Sequence, residues 1–179
     1  DYIVDQSGND HPNAKVKFAL GDIVTSQLAC ANGETVLLTL DTSLPRPYSL
    51  GFRVQGTEGL WMDVNESIYL EGMSPNSHKW EPAQPWLDKY DHPLWKKYAA
   101  AAEGAGHGGM DFFVMHAFIE ALKRNEPMPI DIYDAVAWSA ITPLAEQSIA
   151  EDNRTLDFPD FTEGKWKERK RIFALDDRY

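Results

Sequence analysis

The stretch that decides the fold is residues 14–40, which read AKVKFALGDIVTSQLACANGETVLLTL. Apolar and β-branched residues dominate on both sides of Asn32-Gly33. Asn and Gly tolerate positive φ, so this pair suits a type I′ turn between two antiparallel strands. Gly21-Asp22 interrupts the first run and indicates a bulge or turn. The stretch therefore predicts a β-hairpin with its tight turn at Asn32-Gly33.

Further strand patterns follow the hairpin. Residues 48–57, 59–64 and 67–70 continue it, so residues 14–70 are predicted to form a largely antiparallel sheet. Residues 72–93 are rich in proline and aromatic rings, which is typical of a structured loop.

Helical patterns come only afterwards. The first covers residues 93–102, the second covers residues 110–124, and the third begins at Asp131 with a kink or break expected at Pro143. Strands followed by helices predict the α+β class, here an open antiparallel sheet with helices packed on one face.

One domain is expected over residues 1–179, because no repeat or low-complexity tract divides the chain. Residues 1–13 and 167–179 are predicted to be peripheral, and the first of these segments is predicted to be a loop.

Composition limits the classes of function. A net charge of −11 repels phosphate backbones, so nucleic acid is not an expected partner. Cys30 is the single cysteine, which excludes an internal disulfide and a cysteine-based metal cluster. No stretch is apolar enough for membrane insertion. The five histidines lack the spacing of a zinc site, and His116 is predicted to be packed or on the surface, so no metal is expected.

A dinucleotide-binding loop is also not predicted. Residues 104–109 read GAGHGG, but they link two helical patterns. The dinucleotide fingerprint instead opens a helix directly after a strand. No cofactor-binding residue is therefore assigned in this chain.

Two short motifs could carry chemistry. Residues 41–48, DTSLPRPY, place Arg46 and Tyr48 beside prolines that restrict the backbone, and a phenol can donate to a sugar hydroxyl. The alternative is a rigid loop whose tyrosine packs in the core. In residues 107–111, HGGMD, glycines allow close backbone approach beside a helix N-terminus. The alternative is a plain helix–helix connector in which Asp111 complements the helix dipole.

Four segments together resemble glycoside hydrolase family 109, a branch of the Gfo/Idh/MocA oxidoreductase-like fold. The segments are TSLPRPYS at residues 42–49, GHGGMDF at 106–112, PIDIYDA at 129–135 and FPDFTEGKW at 158–166. The resemblance runs from about Gly21 to Trp166 and covers only the family's C-terminal half. It implies that a Rossmann domain and the family's Tyr-Pro-Thr-His segment would precede this chain.

The resemblance implies an α-N-acetylgalactosaminidase that works through NAD bound by the missing N-terminal domain. In that mechanism NAD oxidises the sugar at C3, elimination expels the leaving group, water adds, and NADH returns the hydride, so no carboxylate pair is needed. The family's substrate-contacting tyrosine falls on Tyr48. Arg46, His107 and Asp111 are further candidate substrate-binding residues. The family's active-site histidine lies in the missing segment, so no catalytic residue is assigned here.

The resemblance also implies a substrate that contains N-acetylgalactosamine, a homo-oligomer formed through the sheet, and a periplasmic or secreted location. The isolated chain is expected to be inactive. Two alternatives stay open: a sugar dehydrogenase of the same fold, which would release NADH, and a non-catalytic carbohydrate-binding or oligomerisation module.

Overall fold

The computed structural model describes residues 2–41, 43–170, 172 and 176–179. They form two compact units, of which the first is Asp1–Pro45 with Ile132–Gly164 and the second is Arg46–Asp131 with Lys165–Tyr179. The expectation of one domain over the whole chain stays a prediction.

The first unit begins with helix α1, Tyr2–Ser7, in a segment that was predicted to be a loop. The helix is short because Gly8 adopts a left-handed φ of 80° and its N–H binds the Val4 carbonyl at 2.9 Å. That backbone bond satisfies a carbonyl at the helix end, which the loop prediction from Gly8, Asn9 and Pro12 did not anticipate.

The predicted hairpin is confirmed. Strand β1, Ile23–Ala29, pairs antiparallel with β2, Thr35–Asp41, with Ala29 opposite Thr35. The type I′ turn is wrong, because only Gly33 has positive φ, at 98°. Its N–H binds the Cys30 carbonyl at 3.0 Å. The chain thus reverses through a three-residue loop that ends on a left-handed glycine.

The two faces of the hairpin differ in polarity. Because side chains alternate along a strand, one face gathers the apolar residues Val24, Leu28, Val36, Leu38 and Leu40. The other face combines the Thr25–Thr39 pair, whose hydroxyl oxygens lie 3.3 Å apart, with the apolar Ile23 and Leu37. On the first face Val24 is buried, whereas Val36, Leu38 and Leu40 stay exposed.

The first unit also contains the helix that follows residue 131. This helix runs over Ile132–Ala150 and, as the fifth α-helix among the described residues, is called α5 below. Pro143 lies inside it without dividing it, so of the two expectations the break is not observed and the kink stays a prediction.

The second unit contains a four-stranded antiparallel sheet. Its strands are β3 (Arg53–Gln55), β4 (Gly59–Met62), β5 (Ser67–Leu70) and β6 (Glu81–Pro82), which neighbour one another in that order. The strand predicted over residues 48–57 shrinks to three residues. Gly51 has a left-handed φ of 58°, so the chain becomes extended only after it, and the first ladder bond is the one that the Phe52 carbonyl accepts from the Asp63 N–H at 2.8 Å.

Helices complete the second unit. They are α2 (Gln84–Tyr90), α3 (Pro93–Ala102) and α4 (Met110–Arg124), and the last two have the predicted bounds. Strand β6 and helix α2 instead lie in the segment that was predicted to be a loop. The prolines of this segment were interpreted as breaking regular structure, but a proline can also lie in the first turn of a helix. Pro85 occupies the first turn of α2, where a proline needs no hydrogen-bond donor.

The α+β class is confirmed, since the described strands pair antiparallel and precede α2 to α5. Among the described residues, the buried apolar side chains are Val24, Ala83, Leu94, Ala102 and Ala121. The last three lie on α3 and α4, which therefore form the best-packed part of the second unit. Over the residues that the structure describes, we find no helix with the length and apolarity needed to span a membrane.

Candidate functional site

The candidate residues Arg46, Tyr48, His107 and Asp111 all belong to the second unit. Arg46, Tyr48 and His107 lie on two loops, and Asp111 lies in the first turn of α4, which directly follows the second loop. The first loop precedes β3, and the second connects α3 to α4. Thr42, which begins the first resemblance motif, lies outside the described residues.

The loop that carries Tyr48 is held by its own polar groups. The Arg46 guanidinium donates to the carbonyl oxygens of Pro47, at 3.4 Å, and Ser49, at 3.2 Å. The Ser49 hydroxyl oxygen accepts from the Gly51 N–H at 3.0 Å. The Tyr48 side chain is 86% exposed, so it is not a core aromatic within this chain. Arg46 thus shapes a loop that presents the phenol to solvent.

The second loop brings two candidate residues together. His107 Nδ1 lies 2.9 Å from Asp111 Oδ1, a spacing of one helical turn. The side chains are 78% and 56% exposed, so the pair contributes little to stability. When Nδ1 carries the proton it donates to the carboxylate, and Nε2 is then left as a proton acceptor. The pair can therefore orient an imidazole towards an incoming polar group.

Glycines make this arrangement possible. A Cβ added to Gly106 would overlap the Asp111 carboxylate. One added to Gly109 would lie 3.2 Å from the Ala102 Cβ and 3.4 Å from Trp95 Cη2. Gly109 also has a φ of 99°, beyond the left-handed region that other residues tolerate. These glycines therefore let the loop pack against α3 and let Asp111 reach His107.

An open groove of about 460 Å³ lies beside the loop. It is lined by Trp95, alanines of α3, Glu103 and the backbone of the glycine loop. The ring of Trp95 stacks on Phe113 with centroids 4.9 Å apart, which fixes its orientation. This groove was not predicted from the sequence. The sequence feature that could have indicated the groove is Trp95, a large aromatic residue on the helix that precedes a run of glycines.

His116 was predicted to be either packed or on the surface, and it is packed. Its ring stacks on Phe112 at 5.0 Å, and Nδ1 lies 2.8 Å from the Tyr179 hydroxyl. Burial raises the pKa of Tyr179 to about 12. Asp177 binds Lys97 at 3.0 Å. The described end of the tail, which was expected to be peripheral, is thus held on α3 and α4.

Neither a metal nor a dinucleotide has a prepared site in these loops. Within the described ranges, no group of three His, Cys, Asp or Glu side chains is arranged to hold a metal ion. The glycine loop joins two helices, and the space above Gly109 is filled by Ala102 and Trp95. It therefore does not fit a dinucleotide phosphate, which requires a glycine-rich turn between a strand and a helix.

Comparison with known proteins identifies the family. The family described as "Glycosyl hydrolase 109, C-terminal domain" matches residues 1–168. A "Glycosyl hydrolase family 109 protein" of Stenotrophomonas maltophilia is 67% identical over 180 residues, which cover 100% of this chain and 39% of the relative.

Two further relatives carry an activity in their names. An "Alpha-N-acetylgalactosaminidase" of Tannerella forsythia is 54% identical over 97% of this chain and 37% of its own length. An "Alpha-N-acetylgalactosaminidase" of Shewanella oneidensis is 39% identical over 91% of this chain and 36% of its own length. The chain therefore spans about two-fifths of the length of the curated relatives that it matches. It belongs to glycosyl hydrolase family 109, whose C-terminal domain it matches.

Proposed function

We propose that this chain is the substrate-side domain of an NAD-dependent α-N-acetylgalactosaminidase. The names of the two relatives support the reaction and the substrate class. They favour the hydrolase over the sugar dehydrogenase and over the non-catalytic module. The observation that carries the proposal is Tyr48, an 86% exposed phenol on a loop that Arg46 holds in place.

The role of Tyr48 in this proposal is to bind a sugar hydroxyl. A phenol both donates and accepts hydrogen bonds, and its ring can cover an apolar sugar face. Because Arg46 and the flanking prolines already restrain the loop, little conformational entropy is lost when the sugar binds. Arg46 acts through the loop backbone and is a positioning residue.

His107 and Asp111 have a secondary place in the proposal. Their pairing orients the imidazole, and the groove along the same glycine loop, which Gly108 and Gly109 line, has an apolar wall at Trp95. A polar pair beside an aromatic wall suits a sugar, which has hydroxyl edges and apolar faces.

NAD belongs, in this proposal, to the polypeptide outside the matched segment. The cofactor would supply hydride transfer when bound there. The loops described above do not fit it, so we derive no role for this chain's residues in holding the nucleotide.

The test is the Tyr48→Phe substitution in the full-length enzyme, with kcat/KM measured on an aryl α-N-acetylgalactosaminide. Loss of one neutral hydrogen bond costs about 0.5–1.5 kcal/mol, which is roughly 2- to 13-fold in kcat/KM. Loss of a proton-transfer role costs roughly 10²–10⁴-fold. Either result supports contact with the substrate, and the size of the loss separates binding from proton transfer.

Tyr90→Phe is the matched control, because Tyr90 is 58% exposed, stacks on Trp86 and belongs to α2 and not to either loop. Its kcat/KM is expected to equal that of the wild type. If Tyr48→Phe also equals the wild type at an unchanged melting temperature, Tyr48 is not a site residue and the assignment is wrong.

A further inference from the structure

Helix α5 is apolar around almost its whole circumference. Of its 19 residues, IYDAVAWSAITPLAEQSIA, only Asp134 and Glu146 are charged. A helix on the surface of a protein normally has a polar face towards water, and a helix without one is normally buried. The composition of α5 therefore indicates that little of it faces water in the complete protein.

One face of α5 is nevertheless exposed in this chain. At 100° per residue, six exposed positions of its first turns share a broad face, and the exposed Tyr133 lies outside it. We call this face the apolar face of α5, and its residues are Ile132, Ala135, Trp138, Ser139, Thr142 and Pro143. The side chains of Ile132 and Trp138 are 68% and 60% exposed. Ala140, Ile141 and Leu144, which lie towards the opposite side, are half-buried.

The apolar face has a shape that a partner can fill. An open groove of about 400 Å³ runs along it, lined by Ile132, Ala135, Val136, Ser139 and Ala140. Small side chains form most of the groove, and the exposed Trp138 lies at the edge of the same face. The face carries no charged side chain until Glu146, so an uncharged, apolar surface fits it best.

We propose that the apolar face of α5 is the docking surface for the polypeptide that precedes this domain in full-length members of the family. About three-fifths of each relative lies outside the matched segment, and the matched family is a C-terminal domain, so that polypeptide precedes it. A covalently attached segment is present at an effective concentration on the order of millimolar. It therefore occupies the face before a second copy of the chain can. This inference rests on chain length and on α5, not on the activity proposed above.

The experiment measures thiol labelling in the full-length protein. Ser139→Cys introduces a nearly isosteric thiol in the groove. Gln147→Cys is the matched control, also at an exposed polar position of α5 but beyond the apolar face. Each variant is treated with a maleimide, folded and in denaturant, and labelling is measured by mass spectrometry of the peptide that carries the new thiol. That readout is independent of Cys30 and of any other thiol.

We expect the folded Ser139→Cys protein to label at least about tenfold more slowly than Gln147→Cys, because the reagent reaches a covered thiol only through local opening. Equal rates would overturn the proposal. Protection that disappears on dilution to the monomer would also overturn it, since the occupant would then be a second copy. Hydroxyl-radical oxidation of Trp138 in the unmodified protein gives the same comparison without a variant, with the unfolded protein as its reference.

Discussion

The glycine loop between α3 and α4 allows a prediction whose magnitude follows from two neighbouring residues. Gly108 and Gly109 both have positive φ, at 67° and 99°. A Cβ added to Gly108 would meet nothing within 4 Å, whereas one added to Gly109 would lie 3.2 Å from the Cβ and the carbonyl oxygen of Ala102. Alanine at the two positions therefore separates backbone strain from crowding.

Gly108→Ala should cost about 1–2 kcal/mol, the strain of a left-handed non-glycine residue. Gly109→Ala carries at least that strain and adds crowding against Ala102, for which overpacked sites suggest about 1–3 kcal/mol more. The entropy that alanine removes from the unfolded chain is the same for both substitutions and cancels in the comparison.

Hydrogen–deuterium exchange of the α3 and α4 amides in the full-length protein measures the local free energy of opening. We expect these amides to exchange at least about fivefold faster in Gly109→Ala than in Gly108→Ala, which corresponds to about 1 kcal/mol. Equal exchange in the two variants would refute the claim that Gly109 is required for contact between the loop and α3.

Three further predictions follow from the second unit. Gly106→Ala should displace the Asp111 carboxylate from His107 without touching either residue, and the NMR chemical shifts of the His107 imidazole should move towards those of Asp111→Asn; unchanged chemical shifts would contradict the pairing. Because burial raises the pKa of Tyr179 from 10.0 to about 12, its stabilising contribution is complete below pH 10 and is lost as pH rises to about 12. In Tyr179→Phe the free energy of unfolding, measured with urea, should therefore fall less steeply with pH over that range. A pH dependence equal to that of the wild type would count against burial of the phenol beside His116. The isolated chain should show no micromolar affinity for NAD in titration calorimetry, since its glycine loop does not follow a strand; a measurable isotherm would overturn the assignment of NAD to the preceding polypeptide.

Local sequence signals predicted some elements of the fold closely. Helix α3 begins at Pro93, where His92 Nδ1 accepts a hydrogen bond from the Leu94 N–H at 3.1 Å. Helix α4 ends at Arg124, and the next residue, Asn125, caps it with a left-handed φ of 54°. Such caps depend on neighbouring residues alone, and the two helices accordingly have the predicted bounds.

Elements that depend on longer-range contacts were harder to predict. Strand β6 is two residues long and exists because Ser67 and Ile68 supply its partners from another part of the chain. The groove beside the glycine loop requires Trp95 and Gly109 to meet across two helices. The predicted type of the hairpin turn was wrong for a different reason. Asn-Gly suits both a type I′ turn and a turn that ends on a left-handed glycine, and the strand register decides which of the two forms.

In the candidate site, too, one feature follows from local sequence and another does not. The contact of His107 with Asp111 follows from their spacing of four residues at a helix start. The exposure of Tyr48 does not follow from its neighbours, because the flanking prolines are compatible with a buried ring or with an exposed one. Family resemblance selected Tyr48, and the structure shows its side chain in solvent.

The most direct test of the central claim follows both products of one reaction in the full-length enzyme. An aryl α-N-acetylgalactosaminide is supplied in excess over enzyme, and the released aryl group, free N-acetylgalactosamine and NADH are measured together. The account predicts that aryl group and free sugar appear in equal amounts over many turnovers while NADH does not accumulate. Accumulation of NADH with an oxidised sugar and an intact glycosidic bond would contradict it and would identify a sugar dehydrogenase instead.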